Sequence, residues 1–189
     1  MRLIMTNIPN SLQDAKDLLT KEGFKVGSTW YHGTSSALVV SIKEHGLKRS
    51  GDKALKQTAK QIMATIGNSY TESIEPVFLT QSKELAYYWA MQTVNERVVH
   101  TGSEETPVVL AIKLPEDIDN KVKPDVGAAS LLLVEGNDFL EHLGKVYKTH
   151  GFEEPVLDPA KSDRLDYLNK LGMAYINTDI DVKYLKFLV

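Results

Sequence analysis

Ser28-Thr29-Trp30-Tyr31-His32-Gly33-Thr34-Ser35-Ser36-Ala37-Leu38-Val39-Val40-Ser41-Ile42 is the stretch from which the fold can be read. The β-branched and aromatic residues up to His32 predict a strand broken at Gly33. Ser35-Ser36 then supply a cap, and Ala37 to Ile42 a helix that closes at Gly46. The same order returns downstream. Val77-Phe78-Leu79-Thr80 predicts a short strand that passes through Ser82, a second cap, into a helix from Lys83 to about Arg97. Pro107 to Leu114 is the clearest strand of the chain, stopped by Pro115.

Around this frame, Leu12, Ala15, Leu18 and Leu19 recur at helical spacing after Asn10-Ser11 and before Gly23, and predict a first helix. Leu55, Ala59, Ile62, Met63 and Ile66 mark a helix from Lys53 to Ile66. Glu116 to Pro124 is rich in turn residues, and Ala128 to Val134 is apolar without a clear period. Phe139, Leu140, Leu143, Val146 and Tyr147 give a helix ending at Gly151, and Ser162 caps another through Leu165, Leu168 and Leu171. Met173 to Ile176 and Lys183 to Val189 read as strands. Strands and helices are both numerous but do not alternate strictly, so the expectation is one α+β domain over residues 1–189, with residues 1–27 a helical extension.

Composition narrows the function. A chain of 189 residues, 42% hydrophobic, buries a core without staples, and zero cysteines remove a disulfide scaffold, a cysteine nucleophile and thiolate metal sites. A net charge of -3 and four arginines, Arg2, Arg49, Arg97 and Arg164, argue against a nucleic-acid partner. The apolar run before Asn7 is too short for a signal-peptide core or a membrane span, so a cytoplasmic protein with no membrane partner is expected. No P-loop, G-x-S-x-G elbow or G-x-G-x-x-G is present.

The histidines His32, His45, His100, His142 and His150 show no i, i+4 pair, and no metal is expected. His45, next to Gly46, reads as a helix-end residue. His32 stands apart because it follows Trp30-Tyr31 at a strand end and precedes a glycine that lets polar groups approach the backbone. Tyr87-Tyr88-Trp89 is the second feature, since three successive aromatics span about 200° of helix surface. With Ala86, Ala90 and Val94 marking the buried side, Trp89 is expected in the core and at least one tyrosine at a cleft or the surface.

Tyr31-His32-Gly33-Thr34-Ser35 with Ile42-Lys43-Glu44-His45-Gly46-Leu47 resembles the first motif of the ADP-ribosyltransferase superfamily. Val77 to Tyr88 is similar to that family's strand, serine and aromatic-bearing helix. Ala174-Tyr175-Ile176 followed by Ile180 to Leu185 is similar to the last two strands of the poly(ADP-ribose) polymerase branch. The resemblance implies a split, mainly antiparallel β core that holds NAD in a crevice. It implies that NAD is the substrate, that nicotinamide is released, and that ADP-ribose passes to a protein or other acceptor.

By the same resemblance, His32 bonds the adenosine-side ribose, Gly33 pairs its backbone with the nicotinamide amide, Tyr88 stacks on the nicotinamide ring, and Ser82 supports it. Tyr31, Thr34, Phe78 and Thr80 complete the implied NAD contacts, with His32 and Tyr88 as the catalytic pair. The family's glutamate falls on Ala174, and its tyrosine on the preceding strand falls on Val77 or Phe78. Glu135, Glu153, Glu154 and Asp179 are the candidate substitutes for that acid. Three alternatives stand beside it: an inactive NAD- or ADP-ribose-binding module on the same fold; an RNA 2′-phosphotransferase, which the arginine scarcity disfavours; and an unrelated α+β interaction domain in which the histidine and tyrosines are structural.

Overall fold

The computed structural model describes residues 8–51, 74–133, 136–158 and 160–188. The helix expected over Lys53 to Ile66 lies outside them. The described chain is α+β, a six-stranded antiparallel sheet with flanking helices. Strand β3 (Trp30–Ser35) sits inside the sheet, between β4 (Val77–Thr80) and β5 (Pro107–Ile112). Beyond β5 lies β8 (Leu185–Phe187). Beyond β4 lie β7 (Met173–Ile176) and then β6 (Lys123–Pro124), giving the order β6-β7-β4-β3-β5-β8. A separate hairpin is formed by β1 (Leu19–Thr20) and β2 (Gly23–Phe24).

Strand β3 does not break at Gly33. It runs on to Ser35 because every one of its residues has a partner on β5, from Trp30↔Ile112 to Ser35↔Pro107. The glycine serves packing instead. Helix α3 (Lys83–Thr101) lies against the strand so closely that a Cβ on Gly33 would overlap the Ala86 carbonyl and sit 2.5 Å from the Ala90 nitrogen. Alternation along the strand then sorts its side chains. Tyr31, Gly33 and Ser35 face α3, while Trp30, His32 and Thr34 face the other side, where α2 (Val39–His45) contributes Ile42 to a core with Trp30, Leu79, Leu110 and Ile112.

A second body of core lies beyond α3. There α5 (Asp138–Thr149) and α6 (Arg164–Leu171) bring Phe139, Leu143 and Leu171 against Leu85 and Tyr88 of α3. Helix α5 is capped by Asn137. Helix α6 is capped by Asp163, not Ser162, because Asp163 and Asp166 form a reciprocal capping box. Residues Val126–Leu133 settle as a 3-10 helix, a short α4 (Glu116–Asp119) precedes β6, and the last strand is entered through a 3-10 turn at Val182–Tyr184.

The N-terminal segment departs most from the helix its spacing predicts. It is a 3-10 turn at Asn10–Leu12, one turn of α1 (Ala15–Leu18), and then the β1–β2 hairpin. Leu12, Ala15 and Leu19 are buried as their spacing requires. The helix stops because the chain reverses at Gly23, whose φ of 121° suits only glycine, and Thr20 Oγ1 braces the turn by donating to Gly23 O at 3.0 Å. Asp14 is drawn away to a distant helix. Its carboxylate accepts from Ser82 Oγ at 2.6 Å and Lys83 N at 2.9 Å, a charge-assisted cap on the positive end of α3.

The Gly33 contact is a backbone-on-backbone approach, so neither side can yield by changing rotamer. Gly33→Ala should lower the urea midpoint by an amount equivalent to about 3 kcal/mol, the upper range for overpacking. An unchanged midpoint would show that α3 does not press on this strand.

Candidate functional site

Antiparallel strands direct each residue's N–H and C=O to one neighbour, alternating along the chain. Ser36 N–H donates to Thr106 O at 2.8 Å in continuation of the β3–β5 ladder, so the even-numbered residues of β3 bond β5. Tyr31, Gly33 and Ser35 therefore turn their peptide groups toward β4. On β4, Gln81 N–H donates to Gly172 O at 3.2 Å in line with the β4–β7 register, so the odd positions bond β7. Phe78 and Thr80 thus face β3.

The two strands nevertheless share one pair among the described residues, Tyr31↔Thr80. Continuing that register would set Gly33 opposite Phe78 and Ser35 opposite Pro76, and neither pair forms. Beyond Tyr31 the sheet parts along a seam. Pro76 has no N–H to offer, which explains the outer end of the opening. At the inner end the Phe78 carbonyl bonds His32 Nδ1 at 2.8 Å.

A carbonyl only accepts, so His32 Nδ1 carries the proton and Nε2 presents a lone pair. Burial favours the neutral form of the imidazole, in which Nε2 carries the lone pair. Desolvation pushes its pKa below the ordinary histidine range, against a smaller opposing effect of the Phe78 bond. Nε2 is an acceptor for a hydroxyl or an N–H. On the seam edge, the Gly33 N–H and C=O have no strand partner among the described residues, and Phe78, whose side chain rises on the α3 face, is 45% exposed.

The other implied contacts do not all converge here. Tyr31 and Thr80 form the pair that closes the seam, and Thr34 is buried opposite Val108. Thr80 Oγ1 is turned inward, donating to Ser82 O at 2.7 Å. Ser82 is fully buried, its hydroxyl committed to Asp14 and to the N–H groups of Glu84 and Leu85.

Tyr88 stands apart from His32. Ala86 and Ala90 define the side of α3 that touches Gly33, and Tyr88 lies about 180° around the helix from their mean direction. Its ring is 5% exposed and stacks on His142, with centroids 4.6 Å apart and planes at 16°. Phe139 and Trp89 enclose it at 5.5 and 5.2 Å. Burial pushes the phenol up to about 12. The expected order of burial is also corrected: Tyr87 and Tyr88 are both buried and Trp89 is partly exposed. The helix is covered on two sides, by the sheet and by α5, so no tyrosine is left over for a cleft.

Ala174 is buried opposite Leu79. Of the candidate acids, Asp179 holds Lys48 Nζ at 3.3 Å and Arg49 Nε at 3.4 Å, while Glu154 holds Lys148 Nζ at 2.5 Å. Glu153 is exposed, and Glu135 lies outside the described residues. The strongest carboxylate cluster was not anticipated from sequence. Glu105 accepts from Arg97 Nε at 2.7 Å, from Ser35 Oγ and from Ser103 Oγ at 2.8 Å, and these bonds hold it at about 2. So bound, it is an anchor and not a base. Its sequence signal is weak, an arginine at the end of a helix with a glutamate eight residues on.

Among the described residues, no group of His, Asp and Glu could hold a metal ion, and no helix is long and apolar enough to cross a membrane. No protein-family model, curated protein or solved structure matches the chain.

His142 offers a test of the inner aromatic stack. It is buried, its Nε2 has no partner among the described residues, and desolvation, aided by Lys145, lowers its pKa to about 4. A base depressed in the folded state costs stability as pH falls, because the unfolded chain takes up the proton first. Stability is unaffected above the unfolded value near 6.5 and is lost progressively down to about 4. Between pH 7 and pH 5, wild type should lose about 2 kcal/mol relative to His142→Phe, read from paired urea curves. Parallel pH profiles would show that the imidazole is not buried neutral.

Proposed function

We propose that the chain binds NAD at the seam between β3 and β4 and acts as an ADP-ribosyltransferase, passing ADP-ribose to a protein or other acceptor and releasing nicotinamide. The observation that carries this reading is the pairing, at one opening, of an acceptor nitrogen with a peptide group that has no strand partner among the described residues. His32 Nε2 suits a ribose hydroxyl, which can donate. The Gly33 N–H and C=O suit a primary carboxamide, which offers one acceptor and one donor. An antiparallel sheet that parts beside the first motif supports the ADP-ribosyltransferase-like fold.

In this reading Tyr88 and Ser82 serve the core. The nicotinamide ring would be flanked instead by the exposed face of Phe78. Cleaving the nicotinamide–ribose bond builds positive charge on the sugar, and orientation of ring and ribose lowers part of that barrier.

A second reading, binding of NAD or ADP-ribose without cleavage, is favoured by Ala174, an apolar side chain at the place where the resemblance puts a glutamate. An RNA 2′-phosphotransferase draws no support. Arg97 is taken by Glu105 and Arg49 by Asp179, and a neutral acceptor nitrogen gives a phosphate nothing to bond.

Calorimetric titration with NAD, ADP-ribose and NADP, together with chromatography of nicotinamide released alone and with a protein extract as acceptor, separates these readings. Saturable binding of NAD and ADP-ribose, weakened at least tenfold in His32→Ala, is expected, equivalent to about 1.4 kcal/mol. NADP should bind less well if its phosphate replaces the donor hydroxyl. Binding with nicotinamide release supports transfer, and binding without release selects the second reading. No binding of NAD or ADP-ribose, or equal binding by the variant, overturns both.

A further inference from the structure

The seam raises a question that no ligand answers: why two neighbouring antiparallel strands, already in register at Tyr31↔Thr80, fail to pair two residues further on. Both partners of the missing pair are competent. Gly33 and Phe78 each have an N–H and a C=O, and the alternation of both strands turns those groups toward each other. Nothing in the sequence of β4 before Pro76 forbids the bond, since Val77 and Phe78 are good strand formers. The difference lies in who occupies the Phe78 carbonyl.

We infer that His32 is a wedge: by donating Nδ1–H to the Phe78 carbonyl, its imidazole draws that oxygen out of line with the Gly33 N–H and holds β3 and β4 apart. The side chain rises from the face opposite α3 and bends over the strand edge to reach the oxygen at 2.8 Å. Pro76 extends the opening, because the next position to pair, Ser35, meets a residue without a donor.

The wedge leaves Gly33 N–H, Gly33 C=O and Phe78 N–H facing the seam without a strand partner among the described residues. Unpaired peptide groups on a half-buried edge are costly unless water or a ligand reaches them, so the device converts a hydrogen bond of the sheet into a recognition edge. His32 in this role is a positioning residue. The role goes beyond the NAD reading and survives if NAD does not bind.

The test needs no ligand. In isotope-labelled full-length protein, hydrogen-bond scalar couplings and amide exchange are recorded for wild type and His32→Val, valine being a strand former of modest size. Wild type is expected to show protonated His32 Nδ1, no coupling between Gly33 N and Phe78 C′, and Gly33 and Phe78 amides exchanging at least tenfold faster than the bonded Tyr31 amide. In His32→Val the Gly33–Phe78 coupling should appear and both amides should slow at least tenfold. A Gly33–Phe78 coupling in wild type, or unchanged exchange in the variant, overturns the inference. Should the variant fail to fold, the wild-type measurements decide: a His32 ring protonated at Nε2 alone, or a Gly33 amide as protected as Tyr31, is equally fatal.

Discussion

The Phe78 carbonyl faces β3, and the group it bonds there is the imidazole of His32, not the peptide of Gly33. Most of what distinguishes this sheet from an unbroken one follows from that choice. The bond fixes the imidazole tautomer and so turns a lone pair outward on Nε2. It also draws aside the acceptor that would have extended the Tyr31↔Thr80 pair, which leaves a peptide edge without a strand partner among the described residues next to the same imidazole. A single contact thus creates both halves of the candidate site.

Helix α3 is the second constraint. It lies on the opposite face of β3, close enough that only glycine fits at position 33, and is pinned at both ends by buried carboxylates. Asp14 caps its N-terminus through Ser82, and Glu105 ties Arg97 near its C-terminus to Ser35 at the end of β3. A buried ion pair is poor evidence of net stability, yet it is an effective way of fixing one register among several. Because the helix cannot roll, its Tyr88 face stays turned toward α5. The two aromatic and imidazole features singled out from sequence therefore belong to two compartments.

The parts of the fold that were legible are those set by local pattern. The strands at Val77–Thr80 and Pro107–Ile112 and the long helix after Ser82 carry their own alternation, caps and stops. What failed was decided at long range. Leu12, Ala15 and Leu19 are buried as a helix would bury them, but Asp14 is recruited by a helix 68 residues away and Gly23 turns the chain back. Gly33 reads as a strand breaker until the helix that needs it is in place. Tyr87-Tyr88-Trp89 misled because the argument allowed α3 one buried side and it has two. His32 stands out because the strand is expected to end there, which it does not, and its partner is a main-chain atom whose direction depends on pairing parity, which composition does not encode.

What the seam supplies bears on the choice between transfer and binding. In the proposed complex a hydroxyl on Nε2 and a carboxamide on Gly33 would be contacted before and after the glycosidic bond breaks, and interactions equal in both states tighten binding without speeding the chemical step. Acceleration needs a group that gains when positive charge develops on the ribose. Ala174 cannot be that group, and Asp179, Glu154 and Glu105 already serve basic side chains. The negative charge must come from outside this set, and the acceptor's own nucleophile is the one component of a transfer reaction that arrives with the chemistry. If the proposed transfer takes place, the seam would supply recognition of the dinucleotide and the acceptor the charge that speeds the chemical step.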